Sequence, residues 1–210
     1  MTSTVQPGPV RVLAVCTANI CRSPAIELLL RSALEDAGLP VGAVEVSSAG
    51  VDARDGATRC ARSRSLLAAY GVDDVELWTS GARRLTAEDV RSADLILTAS
   101  RTHRAAVARL LPAAQTRTFT LRQAARSAGE IAAGPLPAVV LLPPADDVRA
   151  RLRWFVAELD AARGPADDPR DDDVPDPHVV GDTEHARAMT LMTTAVADLA
   201  ACFRLVLAEP

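Results

Sequence analysis

The stretch Val10 to Leu34, VRVLAVCTANICRSPAIELLLRSAL, decides how the rest of the chain is read. It opens on Val10-Arg11-Val12-Leu13-Ala14-Val15, an apolar and β-branched run with one charge, which suits a strand buried on both faces of a parallel sheet. Cys16-Thr17-Ala18-Asn19-Ile20-Cys21-Arg22 then breaks both the strand and any helical period. Ser23-Pro24 marks a helix start, with serine as N-cap and proline at the first helical position. Beyond it Ile26, Leu29, Leu30, Ala33 and Leu34 recur at i, i+3, i+4, i+7 and i+8, the buried stripe of a helix. The stretch therefore reads strand, tight loop, helix N-terminus. In that arrangement loop and first-turn N–H groups point inward and the helix dipole adds positive charge, so the loop is an anion site. A cysteine opens it and an arginine closes it six positions later. The amides and Arg22 favour the thiolate of Cys16, and the planar guanidinium matches two oxygens of a phosphate.

At these residues the sequence resembles the low-molecular-weight protein tyrosine phosphatases. Their signature is Cys-x-x-x-x-x-Arg-Ser at the end of the first strand, with Gly-Asn inside the loop and Ser-Pro after it. Cys16, Asn19, Arg22, Ser23 and Pro24 are in register, while Ala18 stands where the family usually has glycine. The resemblance implies a three-layer α/β/α fold with a four-stranded parallel sheet in the order 2-1-3-4 and a phosphate-binding loop after strand 1. It also implies a cysteine-dependent phosphomonoester hydrolase that works through a phosphocysteine, with no metal or other cofactor. On this reading Cys16 is the nucleophile and Arg22 the clamp. Thr17, Ala18, Asn19, Ile20 and Cys21 line the phosphate, Ser23 donates to the sulfur, and Ser48 supports the loop. The expected substrate is a phosphorylated protein, phosphotyrosine first, or a small phosphate ester.

The family delivers a proton to the leaving oxygen from an Asp-Pro pair just before the last helix. Val174-Pro175-Asp176-Pro177-His178 stands in that place, and Asp168-Pro169 is a second candidate that position disfavours. Like-charge repulsion from Asp171, Asp172 and Asp173 would favour a protonated Asp176 if they lie close. The acidic run 167–173 otherwise reads as a solvated loop. Family members acting on phosphotyrosine often carry aromatics after the Asp-Pro pair and after the second strand. Here those places hold His178-Val179 and Val51-Asp52-Ala53-Arg54, in a chain with 3% aromatic residues. Trp78, Trp154, Phe155 and Tyr70 are left to supply a wall, though core packing suits them better.

Two rival readings share the loop. Arsenate reductases of the same fold pass electrons through two further cysteines after the third helix region, and residues 78–100 contain none. A non-catalytic phosphate-binding module would not need Asp176-Pro177. Composition narrows the field further. A chain of 210 residues with 49% apolar residues supports one sizeable core, and a net charge of −4 gives no support for nucleic acid or an anionic membrane. All 23 basic residues other than histidine are arginine. The start MTSTVQPGP lacks a signal-peptide pattern and no apolar run reaches about eighteen residues, so a cytoplasmic location is expected. Oligomeric state is not legible. Cys60 and Cys202 sit on helical stripes and read as core. His103, His178 and His185 show no metal-ligand spacing and read as surface histidines, with His178 beside the expected acid. No GK[ST] loop or GxGxxG is present to bind a nucleotide.

Outward from the first stretch, residues 1–9 read as a tail and 10–210 as one domain with an insert at about 125–173. Strands are expected at 44–50, 93–99 and 116–121, and helices at 57–70, 102–111, 146–163 and 182–207. A capping box at Thr86 to Asp89 starts a short helix. In 57–70, Leu66, Leu67 and Tyr70 form the buried side, leaving Arg59, Arg62 and Arg64 solvated. The insert helix, capped by Asp146 or Asp147, is expected to pack beside the catalytic face.

Overall fold

The computed structural model describes residues 8–38, 42–134, 143–144, 147–180 and 182–207. Four strands, β1 (Val10–Cys16), β2 (Val44–Gly50), β3 (Leu95–Thr98) and β4 (Thr118–Thr120), form one parallel sheet in the order β2-β1-β3-β4. The helices are α1 (Arg22–Asp36), α2 (Ala61–Ala69), α3 (Val75–Thr79), α4 (Ala87–Ser92), α5 (Arg101–Leu110), α6 (Leu121–Ala133), α7 (Val148–Ala161), α8 (Pro177–Val180) and α9 (Asp182–Leu207). Successive side chains of β1 serve two cores. Val10, Val12, Ala14 and Cys16 join the larger one under α1, α6, α7 and α9, while Leu13 and Val15 join Val90 and Val107 under α4 and α5. This is the three-layer architecture expected from the resemblance. The chain leaves β1 toward one face and β3 toward the other, so a crevice opens beyond their C-terminal ends. The register of β1 on β2 sets Cys16 opposite Gly50 at the mouth of that crevice.

Long periodic segments end close to where the pattern places them. The last helix spans Asp182–Leu207, and its Met189, Met192, Val196, Leu199, Phe203 and Val206 are all buried. Thr183–Val206 within it is long and apolar enough to cross a membrane by length and composition. Half of that stretch is buried, and those buried side chains form part of the larger core, as in the central helix of a globular domain. The capping box is present, with Thr86 Oγ1 accepting from Asp89 N and Asp89 accepting from Thr86 N.

Shorter segments differ from expectation. The helix expected at 57–70 starts only at Ala61, because the Cys60 N–H is drawn to the Ile20 carbonyl at 2.8 Å. Arg59 is buried rather than solvated, donating to the Leu77 carbonyl at 2.7 Å. Tyr70 is exposed at the end of α2 and not on its buried side. Strand β4 is shorter than 116–121, because Thr120 already caps α6 by accepting from Gln123 N at 3.1 Å. Helices α3 and α6 have no counterpart among the expected elements. Trp78 and Phe155 are buried in the core and Trp154 packs against it. Residues 1–7 of the expected tail lie outside the described residues, as does Asp146. Asp147 caps α7 by accepting from Ala150 N.

The insert helix does not pack beside the catalytic face. Arg149 at the start of α7 donates to the Pro9 carbonyl at 2.9 Å and to Asp94 at 2.8 Å, and Arg163 just beyond its end donates to the Thr118 carbonyl at 3.1 Å. Pro9, Asp94 and Thr118 precede or open β1, β3 and β4, so α7 runs beneath the N-terminal edge of the sheet. Phe155 and Leu159 bury against α9, where the Phe155 and Phe203 rings lie 5.0 Å apart, and the Arg163 guanidinium stacks 4.1 Å over Phe119. Three arginine contacts and an apolar stripe point the same way.

Candidate active site

The loop 16–22 curls because its neighbours pin it from three sides. Val51 N donates to the Cys16 carbonyl and Asp52 N to the Thr17 carbonyl, both at 2.9 Å, while Cys60 N holds the Ile20 carbonyl. Asn19 takes the left-handed conformation at φ +54°, which asparagine tolerates. Ala18 does not, so an alanine there costs the loop nothing. Asn19 is fully buried and every polar atom of its amide is used. Its Nδ2 donates to Ser23 Oγ at 2.9 Å and Ser48 Oγ at 2.8 Å, and its Oδ1 accepts from Arg83 N at 2.9 Å. Ser48 thus sits under the loop, on β2.

Gly50 has no room for a side chain. A Cβ there would come within 2.5 Å of the Thr17 carbonyl oxygen and 2.8 Å of the Asn19 nitrogen, both backbone atoms of the loop. Gly50→Ala is therefore expected to displace the loop and lower kcat/KM by about 10²-fold or more, the cost of a misplacement near 1 Å. Steady-state kinetics together with the thermal unfolding midpoint check this. A variant at the parental rate would show that the loop can move without loss.

Ser23 does not cap α1. The helix begins one residue earlier, at Arg22, with Cys21 as an N-cap whose side chain makes no capping bond. The serine hydroxyl is instead 3.0 Å from Cys16 Sγ and 3.3 Å from the Ala49 carbonyl. Pro24 is accommodated because first-turn N–H groups have no partner inside a helix.

Arg22 is 5% exposed and divides its contacts. Nη2 pairs with Asp176 Oδ2 at 2.5 Å and donates to Thr17 Oγ1 at 3.3 Å, while Nη1 donates to the Val174 carbonyl at 3.3 Å. The other oxygen of Asp176 accepts from His178 N at 3.1 Å at the start of α8. Asp168 is elsewhere, paired with Arg170 on the surface. Thr17 Oγ1 also meets His103 Nε2 at 2.8 Å, and His103 Nδ1 meets Ser100 Oγ at 2.8 Å. His103 is therefore a buried member of the site and not a surface histidine. Burial, with the nearby Arg22 charge, lowers it to about 4, so the ring is neutral near pH 7.

Within the acidic run Asp167 and Asp171 are exposed, as a solvated loop requires, but Asp172 and Asp173 are held by arginines. Asp172 is buried against Arg126 at 2.7 Å, and Asp173 binds the Arg101 guanidinium and accepts from Arg101 N at 2.8 Å, capping α5 from across the crevice. Val174 N then donates to the Ala99 carbonyl, beyond the end of β3. Asp172 and Asp173 spend their charge on arginines, so their expected repulsion of Asp176 is offset. They set the height at which Asp176 reaches Arg22. Sequence reasoning missed His103, Arg101 and Arg126 here, since no spacing in the chain announces contacts to partners 86, 72 and 46 residues away.

Cys21 and Cys60 also meet at the site's edge. Cys21 Sγ lies 2.7 Å from Ser63 Oγ and within 4.8 Å of Cys60 Sγ, and the nearness of the two thiols lowers Cys60 while raising Cys21. Cys60 is thus only half-buried, not core, whereas Cys202 is buried in α9.

Residues 11–133 match the family model for low molecular weight phosphotyrosine protein phosphatase. The chain is 34% identical over 115 residues to a protein-arginine-phosphatase of Geobacillus stearothermophilus, covering 55% of this chain and 71% of that protein. It is 38% identical over 112 residues to the low molecular weight protein-tyrosine-phosphatase Etp of Escherichia coli (strain K12), covering 53% of this chain and 69% of that protein. Among solved structures it is similar to YfkJ from Bacillus subtilis, with a TM-score of 0.63 and 20% identity over 93% of this chain and 95% of that one. It is also similar to the tyrosine phosphatase Wzb from Escherichia coli K30 in complex with sulphate, with a TM-score of 0.58 and 21% identity over 91% of this chain and 96% of that one. These structural likenesses speak for the fold, and they extend past Asp176, which the family model does not reach.

Proposed function

The chain belongs to the low molecular weight phosphotyrosine protein phosphatase family, and from that premise we propose that it hydrolyses phosphotyrosine on proteins through a phosphocysteine at Cys16. The observation that carries the reading is the convergence of Cys16, Arg22 and Asp176 around one loop, with Arg22 bonded to Asp176 at 2.5 Å. In the first step the Cys16 thiolate attacks phosphorus. The S–P bond forms as the ester P–O bond breaks, and Asp176 gives its proton to the departing phenolate. Loop amides and Arg22 bind the three phosphoryl oxygens. The Ser23 hydroxyl, 3.0 Å away, donates to the sulfur and steadies it as thiolate and as leaving group. A phosphoryl group that takes the guanidinium competes with Asp176 for Arg22 and leaves the carboxyl free to face the leaving oxygen. In the second step water attacks the phosphocysteine, Asp176 accepts the water's proton, and inorganic phosphate leaves with the thiolate restored.

The arsenate reductase alternative is not favoured by the family match, and residues 78–100 hold no cysteine to pass its electrons. Phosphotyrosine is tested directly by comparing phosphotyrosine, phosphoserine and phosphoarginine peptides at equal concentration. The highest kcat/KM on phosphotyrosine supports the substrate assignment, and a faster reaction on either other peptide overturns it.

Asp176→Asn is expected to slow esters with poor leaving groups about 10²–10⁴-fold and those with good ones far less, since a good leaving group needs least protonation. Rates for a series of aryl phosphates of graded phenol acidity give the slope. Asp168→Asn should keep the parental slope, because Asp168 caps a surface turn and is bound to Arg170. An unchanged slope in Asp176→Asn would remove Asp176 from the acid role.

A further inference from the structure

Four metal-ligating side chains that the hydrolytic site does not use converge beside the phosphate loop. They are Cys21 at the end of the loop, Cys60 at the N-cap of α2, His178 in α8 and His185 in the second turn of α9. One ligand atom from each lies within 4.8 Å of all the others. The Cys60 sulfur and His185 Nε2 are 3.5 Å apart, and the two imidazoles meet edge to face with centroids 5.1 Å apart. Zinc bonds of about 2.3 Å to sulfur and 2.0–2.1 Å to nitrogen place tetrahedral ligand atoms roughly 3.3–3.8 Å from one another. The Cys60–His185 pair already has that spacing, and no other pair exceeds 4.8 Å.

From this geometry we propose that Cys21, Cys60, His178 and His185 bind one tetrahedral zinc-class cation. The donor set selects the ion: two thiolates and two imidazoles are soft to borderline ligands, which suit zinc and not magnesium or calcium. Two thiolates also balance a divalent charge, so the loaded site is neutral, and binding releases the thiol protons to solvent. The position provides both burial and entry. Cys21 is buried and His185 is 8% exposed, while His178 is exposed and closes the fourth corner from the solvent side. His185 turns its Nε2 toward Cys60 Sγ at 3.5 Å, which places that nitrogen in the cluster.

The sequence conceals this site because its ligands stand at 21, 60, 178 and 185, far from any finger-like spacing. Its location gives it a consequence. Cys21 precedes Arg22, and the His178 N–H holds Asp176, so a bound ion clips the segment carrying the acid to the loop carrying the clamp. The ion's role is to join these segments; the proton and phosphoryl transfers remain with the other residues.

The test uses the full chain carrying Cys16→Ser, which removes the one other thiol of the loop as a competing ligand. After chelator treatment the protein is titrated with cobalt(II) and then zinc(II). One equivalent of cobalt should produce the intense visible bands of a tetrahedral site with sulfur-to-cobalt charge transfer, and one equivalent of zinc should bleach them. Zinc should also raise the thermal unfolding midpoint. Adding Cys60→Ser or His185→Gln should weaken zinc binding at least about tenfold, while Cys202→Ser should leave it unchanged. No stoichiometric tetrahedral cobalt spectrum, or a spectrum untouched by both ligand variants, overturns the proposal. Should a ligand variant fail to fold, the cobalt spectrum of the Cys16→Ser protein decides the matter, since weak octahedral bands there also overturn it.

Discussion

Replacing Cys16 with serine should lower turnover by a factor on the order of 10⁴–10⁶, the scale seen when a covalent nucleophile is removed, while binding of inorganic phosphate is largely kept. The two halves of this expectation have separate causes. A serine hydroxyl keeps its proton near neutral pH, and the group bonded to this position among the described residues, Ser23 at 3.0 Å from the sulfur, offers only another hydroxyl. The anion cradle depends on backbone that the substitution leaves alone. The loop is held by Val51, Asp52 and Cys60 through main-chain bonds and by Asn19 through its buried amide. Measuring kcat on an aryl phosphate and phosphate affinity by calorimetry separates chemistry from binding. Turnover near the parental rate would remove Cys16 from the mechanism. Loss of phosphate binding together with turnover would mean that the sulfur itself shapes the loop.

Arg22→Lys should be nearly as damaging, with kcat/KM down about 10³–10⁵-fold, the value attached to arginines that stabilise phosphoryl transfer. Charge is conserved in this change, so the loss measures geometry. The guanidinium reaches Asp176, Thr17 and the Val174 carbonyl at once from a position that is 5% exposed. An ammonium is a single point with no planar fork, and it cannot span two phosphoryl oxygens while keeping those contacts. The substitution also releases the acid segment, because Arg22 holds that segment both at the Val174 carbonyl and at the Asp176 carboxylate. Kinetics on good and poor leaving groups read both effects. The good leaving group reports the clamp, and the extra loss on the poor one reports the displaced acid. A lysine variant with parental kcat/KM would show that charge alone suffices at this position.

What the sequence by itself determined lies in its longest and most regular local patterns. Val10–Cys16 had to be a doubly buried strand, because its apolar side chains alternate without a solvent face. Cys16 and Arg22 had to share one loop, because a strand ends and a helix starts within six residues. The final helix was legible in its stripe of Met189, Met192, Val196, Leu199 and Phe203. Spacing of this kind reports backbone conformation and burial, which are local properties. Only the tertiary structure decided which charges meet. Arg22 and Asp176 are 154 positions apart, and their contact depends on Asp172 and Asp173 being fastened to Arg126 and Arg101. An aspartate run looks solvated in any sequence until the arginines that neutralise it are known. His103 looked like a surface residue until α5 turned it onto Thr17. The insert helix had an apolar side but no address. Its position beneath the sheet follows from Arg149 and Arg163, which reach the Pro9 and Thr118 carbonyls and the Asp94 carboxylate, partners that no local spacing marks. The Cys21, Cys60, His178 and His185 cluster belongs to the same class, since four ligands from four elements converge only when α2, α8 and α9 have closed around the phosphate loop.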